Sequence, residues 1–196
     1  MPDVLLWASV FFLAITSTSL LLSREWRWSI AFLAAQYLAA FWLVEFHWPF
    51  TMSAAKLVTG WMAAAVLGMT QLHAQPTLTN EPSWPQGRTF RLLAAGLVLL
   101  AALATAQQMA GWLPGLELPN ASGALILISL GLLHLGMTAN PFRATIGLLT
   151  FLLGFETLYA AIENSILVAG LLSTITLGLA LAGSYLISLT AWETNE

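Results

Sequence analysis

The chain contains no cysteine, which excludes disulfides, thiolate metal sites and cysteine nucleophiles. Charge is almost as scarce. Only 8% of the 196 residues are Asp, Glu, Lys or Arg, the formal net charge is −3, and no basic stripe offers a footprint for nucleic acid. Three scattered histidines, with no H-x-x-x-H and no cluster of His and carboxylate, do not make a metal site. There is no Walker loop, no dinucleotide-binding glycine fingerprint and no Ser/His/Asp arrangement, so no catalytic constellation and no cofactor site is expected.

What the chain has instead is apolar length. Hydrophobic residues make up 59% of it and the mean hydropathy is +0.82, too much for the surface of a soluble domain. Seven apolar runs stand out, at 4–22, 27–46, 52–72, 90–112, 122–139, 143–162 and 165–190. The breaks carry polar, Pro or Gly residues: Ser23-Arg24-Glu25, His47-Trp48-Pro49, Gln75 to Gly87, Pro114 to Asn120, Asn140-Pro141 and Glu163-Asn164. The runs are too long and too uniformly apolar for barrel strands, which alternate over about ten residues. The sequence predicts an all-α, polytopic transmembrane bundle of seven spans. Met1-Pro2-Asp3 puts an acid where a secretory signal has a positive region, so the first run is read as a span of the mature protein.

The basic residues set an orientation. With the N-terminus outside, Arg24, Arg27, Arg88, Arg91 and Arg143 all fall on the cytoplasmic side and only Lys56 falls outside, which predicts N-out and C-in. Trp26, Trp28, Trp48, Trp112 and Trp192 lie near run ends and read as interfacial anchors. The chain divides into a three-helix part (1–73), a Pro-rich cytoplasmic connection (74–89), a fourth helix with an outer loop (90–121), a three-helix part (122–190) and a polar tail (191–196). No internal sequence repeat relates the parts.

Glu156 is the only carboxylate in the run Ala144 to Ile162, about twelve residues or ~18 Å of helix from one end. Ionisable groups at that depth are costly and usually face a bundle interior or a water-filled path. Burial disfavours the carboxylate, while water or a cation on a partner favours it, so reversible protonation is the expected chemistry. The alternative is a neutral Glu that only hydrogen-bonds between helices.

The segment ALILISLGLLHLGMTANPFRATIGLLTFLLGFETLYAAIENS, with LLSTITLGLALAGSYLI after it, resembles the three-helix K subunit of bacterial complex I. It also resembles the E-type subunit of hydrogenase-4-like complexes and the C subunit of Mrp antiporters. The pattern is a basic residue in a short turn, an apolar helix with Gly-hydrophobic-Glu, and a third helix with a GLAL-like run. Here these are Arg143, Gly154-Phe155-Glu156 and Gly178-Leu179-Ala180-Leu181. The extra N-terminal helices favour the longer hydrogenase-type subunit. The resemblance implies a noncatalytic subunit of a proton- or sodium-translocating assembly in a bacterial or archaeal cytoplasmic membrane, with antiporter-like chains as partners. It puts the family's proton-pathway glutamate on Glu156. The family's third-helix glutamate falls on Thr174, which cannot store a proton.

Helix geometry places Glu156 and Thr174 at a similar depth, ~9–10 Å from the outer ends. Ser173, Thr174 and Thr176 either line a hydrated patch beside Glu156 or bond their own i−4 carbonyls. His134 either passes protons near the inner end, ~12 Å shallower than Glu156, or is a packed histidine. Tyr159, one turn from Glu156, either donates to it or is an interfacial aromatic. Gln36 reads as interhelical glue. Glu45, His47 and Glu163 read as wet outer-end groups. A structural scaffold is the competing function, and an autonomous transporter a third, weakened by the lack of an inverted repeat.

Overall fold

A computed structural model describes residues 2–23, 25–73, 87–113 and 115–193. Among these the secondary structure is seven α-helices: α1 (Pro2–Leu22), α2 (Trp26–Glu45), α3 (Phe50–His73), α4 (Arg88–Trp112), α5 (Leu118–Gly136), α6 (Pro141–Ile162) and α7 (Ile166–Glu193). Each has a stretch long and apolar enough to cross a membrane. The chain is a multi-pass helical membrane protein. Most of the Pro-rich connection, Arg24, Pro114 and the last residues of the tail lie outside the described residues, as does the side chain of Trp192.

Local chemistry explains the helix starts. Asn140 caps α6, its Oδ1 accepting from the backbone N–H of Phe142 at 3.0 Å and of Arg143 at 3.4 Å, with Pro141 in the first turn where its missing N–H costs nothing. Pro119 does the same for α5, which therefore begins at Leu118 and not at Ser122. The expected outer loop loses Asn120 to that helix, where it is buried and its Nδ2 meets the His47 ring. Many hydroxyls within the spans bond their own preceding turn, as Ser9 does to the Leu5 carbonyl and Thr16 to that of Phe12, so they cost little in an apolar setting.

The helices pack as two layers. In one, α1 meets α2 and α2 meets α3; in the other, α4, α5, α6 and α7 follow in chain order. Across the layers α1 rests on α5 and α4, α2 on α6, and α3 on α7. Leu13, Leu33, Leu43, Leu67, Leu127, Ile146, Leu149 and Leu153 fill the space between them. The closest pairing is α5 with α6. Gly131, Gly147 and Gly154 let the two backbones approach: a Cβ on Gly154 would lie 2.7 Å from the Ile128 amide nitrogen and 2.8 Å from the Ala124 carbonyl oxygen.

Arg27, Arg88, Arg91 and Arg143 gather at one end. Arg143 Nη2 donates to the Ser23 carbonyl at 2.7 Å and Arg91 Nη1 reaches that of Leu21 at 3.4 Å, so α6 and α4 both cap the C-terminus of α1. Trp28 and Trp112 are exposed near helix ends as anchors would be, but Trp48 is not. It is buried, and its indole N–H donates to the Glu163 carbonyl at 3.0 Å, fastening the α2–α3 turn to the α6–α7 turn.

Candidate functional site

Glu156 is fully buried, with 0% of its surface exposed, on the side of α6 that faces the other layer. Its partner is Lys56. The lysine sits six residues into α3, and Glu156 six residues before the end of α6, so each is ~9 Å from the helix end opposite the arginines. Lys56 Nζ and Glu156 Oε2 form a salt bridge. The basic residue expected near the outer surface is therefore an interior one.

The other carboxylate oxygen, Oε1, accepts from Thr176 Oγ1 of α7 at 3.2 Å. The same hydroxyl lies 3.0 Å from the Leu172 carbonyl, so its single proton has two acceptors to choose between. Tyr37 of α2 completes the group. Its hydroxyl is buried, comes up to Thr176, and closes no hydrogen bond of good geometry. Gly60, one turn along α3 from Lys56, makes room for the ring: a Cβ there would run into the Tyr37 side chain. Four helices from both layers thus converge on one carboxylate.

A second buried polar set lies nearer the middle of the bundle. Gln36 Nε2 donates to Ser17 Oγ at 2.7 Å, and its Oε1 accepts from Thr150 Oγ1 at 3.3 Å. This ties α1, α2 and α6 and satisfies both ends of a fully buried amide, in keeping with the expected interhelical role. Thr150 is six residues before Glu156 on α6, ~9 Å along the axis.

The remaining candidate residues stand apart from Glu156. Thr174 is exposed on the outside of the bundle, with its hydroxyl bonded to the Gly170 carbonyl at 2.9 Å. The α7 residue that reaches the carboxylate is Thr176, two positions on, because a two-residue step turns the helix ~200°. Tyr159 packs beside Val44, Trp48 and Ala160, and the groups bonded to the carboxylate are Lys56 and Thr176. His134 is buried in the last turn of α5, its Nε2 without a hydrogen-bond partner, ~20 Å along the bundle from Glu156 and not the ~12 Å expected, because α5 ends earlier, at Gly136, and α6 begins earlier, at Pro141. A cleft of about 330 Å³ opens at the arginine end between Ser19, Ser23, Glu25, Trp28, Phe32 and Arg88, away from the buried pair.

Comparison with known families, with curated proteins and with solved structures finds no match to this chain. The functional reading therefore rests on the site and on the resemblance read from the sequence.

Neither Lys56 nor Tyr37 stands out in the sequence as a site residue. One signal was present: Lys56 lies inside an apolar run, where an ammonium needs a partner as much as a carboxylate does. Opposite charges buried in two different runs are a pairing hypothesis. Tyr37 left no such trace, since an aromatic in an apolar run usually packs as core.

Proposed function

We propose that the chain is a noncatalytic membrane subunit of a complex-I-like, hydrogenase-like or Mrp-like ion-translocating assembly, with Lys56 and Glu156 as its proton-exchange station. The observation that carries this is the buried Lys56–Glu156 pair with Thr176 on the free carboxylate oxygen. An ammonium–carboxylate pair and the corresponding amine–carboxylic acid pair are both neutral overall, so a proton can move between them without leaving a bare charge in a poorly solvated interior. A proton arriving on Glu156 leaves the Lys56 ammonium unbalanced, which favours release of a lysine proton. Passage of the proton from the Glu156 acid to the Lys56 amine then restores the ion pair. One proton enters and one leaves.

The likeness of the α5–α7 segment to the K, E and C subunits supports the same reading, as does the lack of any redox motif in the chain. The energy source and redox cofactors then belong to antiporter-like and other partner chains, in a bacterial or archaeal cytoplasmic membrane. The arginine end faces the cytoplasm under this reading. Single cysteines at Ala139 and Asn164 should label from opposite sides, Ala139 from the cytoplasm, and same-side labelling would break the topology.

The second reading is a scaffold. It is favoured by the complete burial of Glu156 and by the way the pair joins α3 to α6, one helix from each layer. Glu156→Gln alone does not separate the two, because it strands the Lys56 ammonium. The deciding experiment is the charge-balanced variant Lys56→Met/Glu156→Gln in the parent complex, isolated by gentle extraction and identified by its co-purifying chains. Proton pumping lost in a fully assembled complex supports the exchange station. Assembly and pumping both at wild-type level would leave only the scaffold.

A further inference from the structure

The free side of the Glu156 carboxylate carries one hydroxyl oxygen, with a second beside that hydroxyl. Its own Oε1 is bonded by Thr176 Oγ1, and the buried, unpaired hydroxyl of Tyr37 comes up to that threonine from the opposite layer. Carboxylate and hydroxyl oxygens are the ligands that hard cations take. The seat for a cation beside Oε2 is filled, but by a cation belonging to the chain: the Lys56 ammonium.

We propose that Lys56 is the ion-selectivity residue of this site: a tethered ammonium that occupies the position a sodium ion would need, restricting exchange to protons. Removing it would uncover a monovalent-cation site formed by Glu156 and Thr176, with Tyr37 supplying a further oxygen.

The argument is one of charge and room. With Lys56 protonated and Glu156 ionised, the buried pair is neutral, and a sodium ion added to it would leave a net positive charge in an apolar interior. A proton escapes that limit because it can leave from Lys56 as another arrives on Glu156. Sodium could meet the charge limit only by displacing a lysine proton, and the tethered amine would still occupy the seat beside Oε2. When the lysine side chain is shortened, the carboxylate is left without a counter-charge, and the vacated methylene volume has space for the ion with water to complete its shell. Tyr37 is already held for this: its ring is seated over Gly60 and its hydroxyl is not committed elsewhere.

The inference deepens the ion-path reading above and rests on it for its biological meaning, but its test measures binding alone. Thermal unfolding of the purified full-length chain is followed in NaCl and in choline chloride at equal ionic strength. The wild type should unfold at the same temperature in both salts. Lys56→Ala should gain a saturable rise on the order of 5 °C in NaCl, the size given by ligand near a hundred times its dissociation constant in a chain this long. Lys56→Ala/Glu156→Gln should lose that rise. Lys56→Gln, whose amide can donate to the carboxylate and also offers an oxygen, decides the matter if the alanine variant does not fold. Saturable sodium stabilisation of the wild type would overturn the proposal, as would a folded Lys56 variant indifferent to sodium. Wild-type pumping by the assembled charge-balanced complex would remove the ion path while leaving this binding result untouched, so the two failures can be told apart.

Discussion

The interface between α5 and α6 and the junction of α2, α3, α6 and α7 solve the same problem with opposite materials. The first is made by leaving side chains out: Gly131, Gly147 and Gly154 bring two backbones within van der Waals contact. The second is made by burying the most expensive side chains available, Lys56 and Glu156, with Thr176 and Tyr37 around them. In a bilayer no hydrophobic gain separates helix from lipid, so both close packing and polar pairing serve as adhesive. They differ in what they permit. Glycine packing is a fixed fit with a single arrangement, whereas the polar junction has a proton to move and a threonine with two acceptors. The difference teaches where to look for chemistry in this bundle: where the adhesive is costlier than packing requires.

The sharpest way to break that comparison is to unbalance the charges. Lys56→Met leaves the carboxylate buried without a counter-ion and should destabilise the chain by about 3–5 kcal/mol. Lys56→Met/Glu156→Leu removes both charges and should recover most of that loss, because a buried pair replaced by apolar groups is often close to neutral. The measurement is a double-mutant cycle on thermal or denaturant unfolding in detergent. A double variant no better than the single one would mean that the pair is not the partner-to-partner contact described.

At the glycine interface the expected loss is smaller and comes from volume alone. Gly154→Leu forces atoms into the Leu127–Ile128 backbone and should cost about 1–3 kcal/mol. Gly170→Leu, on α7 where nothing lies within 4 Å of an added Cβ, should be within about 0.5 kcal/mol of the wild type. Equal losses at the two positions in the same unfolding assay would show that close approach does not set the effect, since the gain in helix propensity from Gly to Leu is common to both.

The helices of both interfaces were legible from the sequence because length, apolar runs and Pro or polar breaks are local signals. The deep carboxylate was legible for the same reason. What was not legible is the pairing of runs. Lys56 and Glu156 are separated by a hundred positions and by two helices, α4 and α5, and only the layering of α3 against α7 and α2 against α6 brings them together. Thr174 and Thr176 differ by a two-residue step on one helix, and α7 is so uniformly apolar that its pattern does not say which face turns inward. The alignment of the GLAL run chose Thr174; packing put Thr176 on the carboxylate.

The mid-bundle amide sharpens the comparison from a third side, as a polar contact with no charge. Gln36→Leu strands the hydroxyls of Ser17 and Thr150, each of which can fall back on its own helix, so the loss should be about 1 kcal/mol. If ion exchange belongs to the charged junction alone, pumping in the parent complex should persist in this variant. Complete loss of pumping would extend the path from Glu156 toward the arginine end through Gln36.

The smallest expected effect compares two threonines. Thr176→Val keeps the shape of the side chain but deprives Glu156 Oε1 of its donor, leaving a buried carboxylate oxygen bonded by nothing from α7. The loss should be about 1 kcal/mol in the unfolding assay. Thr174→Val removes a hydroxyl bonded only to the Gly170 carbonyl on the outside of the bundle, and should fall within about 0.5 kcal/mol of the wild type. Carrying both substitutions in a Lys56→Met/Glu156→Leu background makes the comparison specific. With the carboxylate gone, Thr176→Val should become as neutral as Thr174→Val, because its remaining acceptor, the Leu172 carbonyl, is already satisfied within the helix. A Thr176→Val cost that survives loss of the carboxylate would assign the hydroxyl to helix packing and leave Lys56 as the sole partner of Glu156.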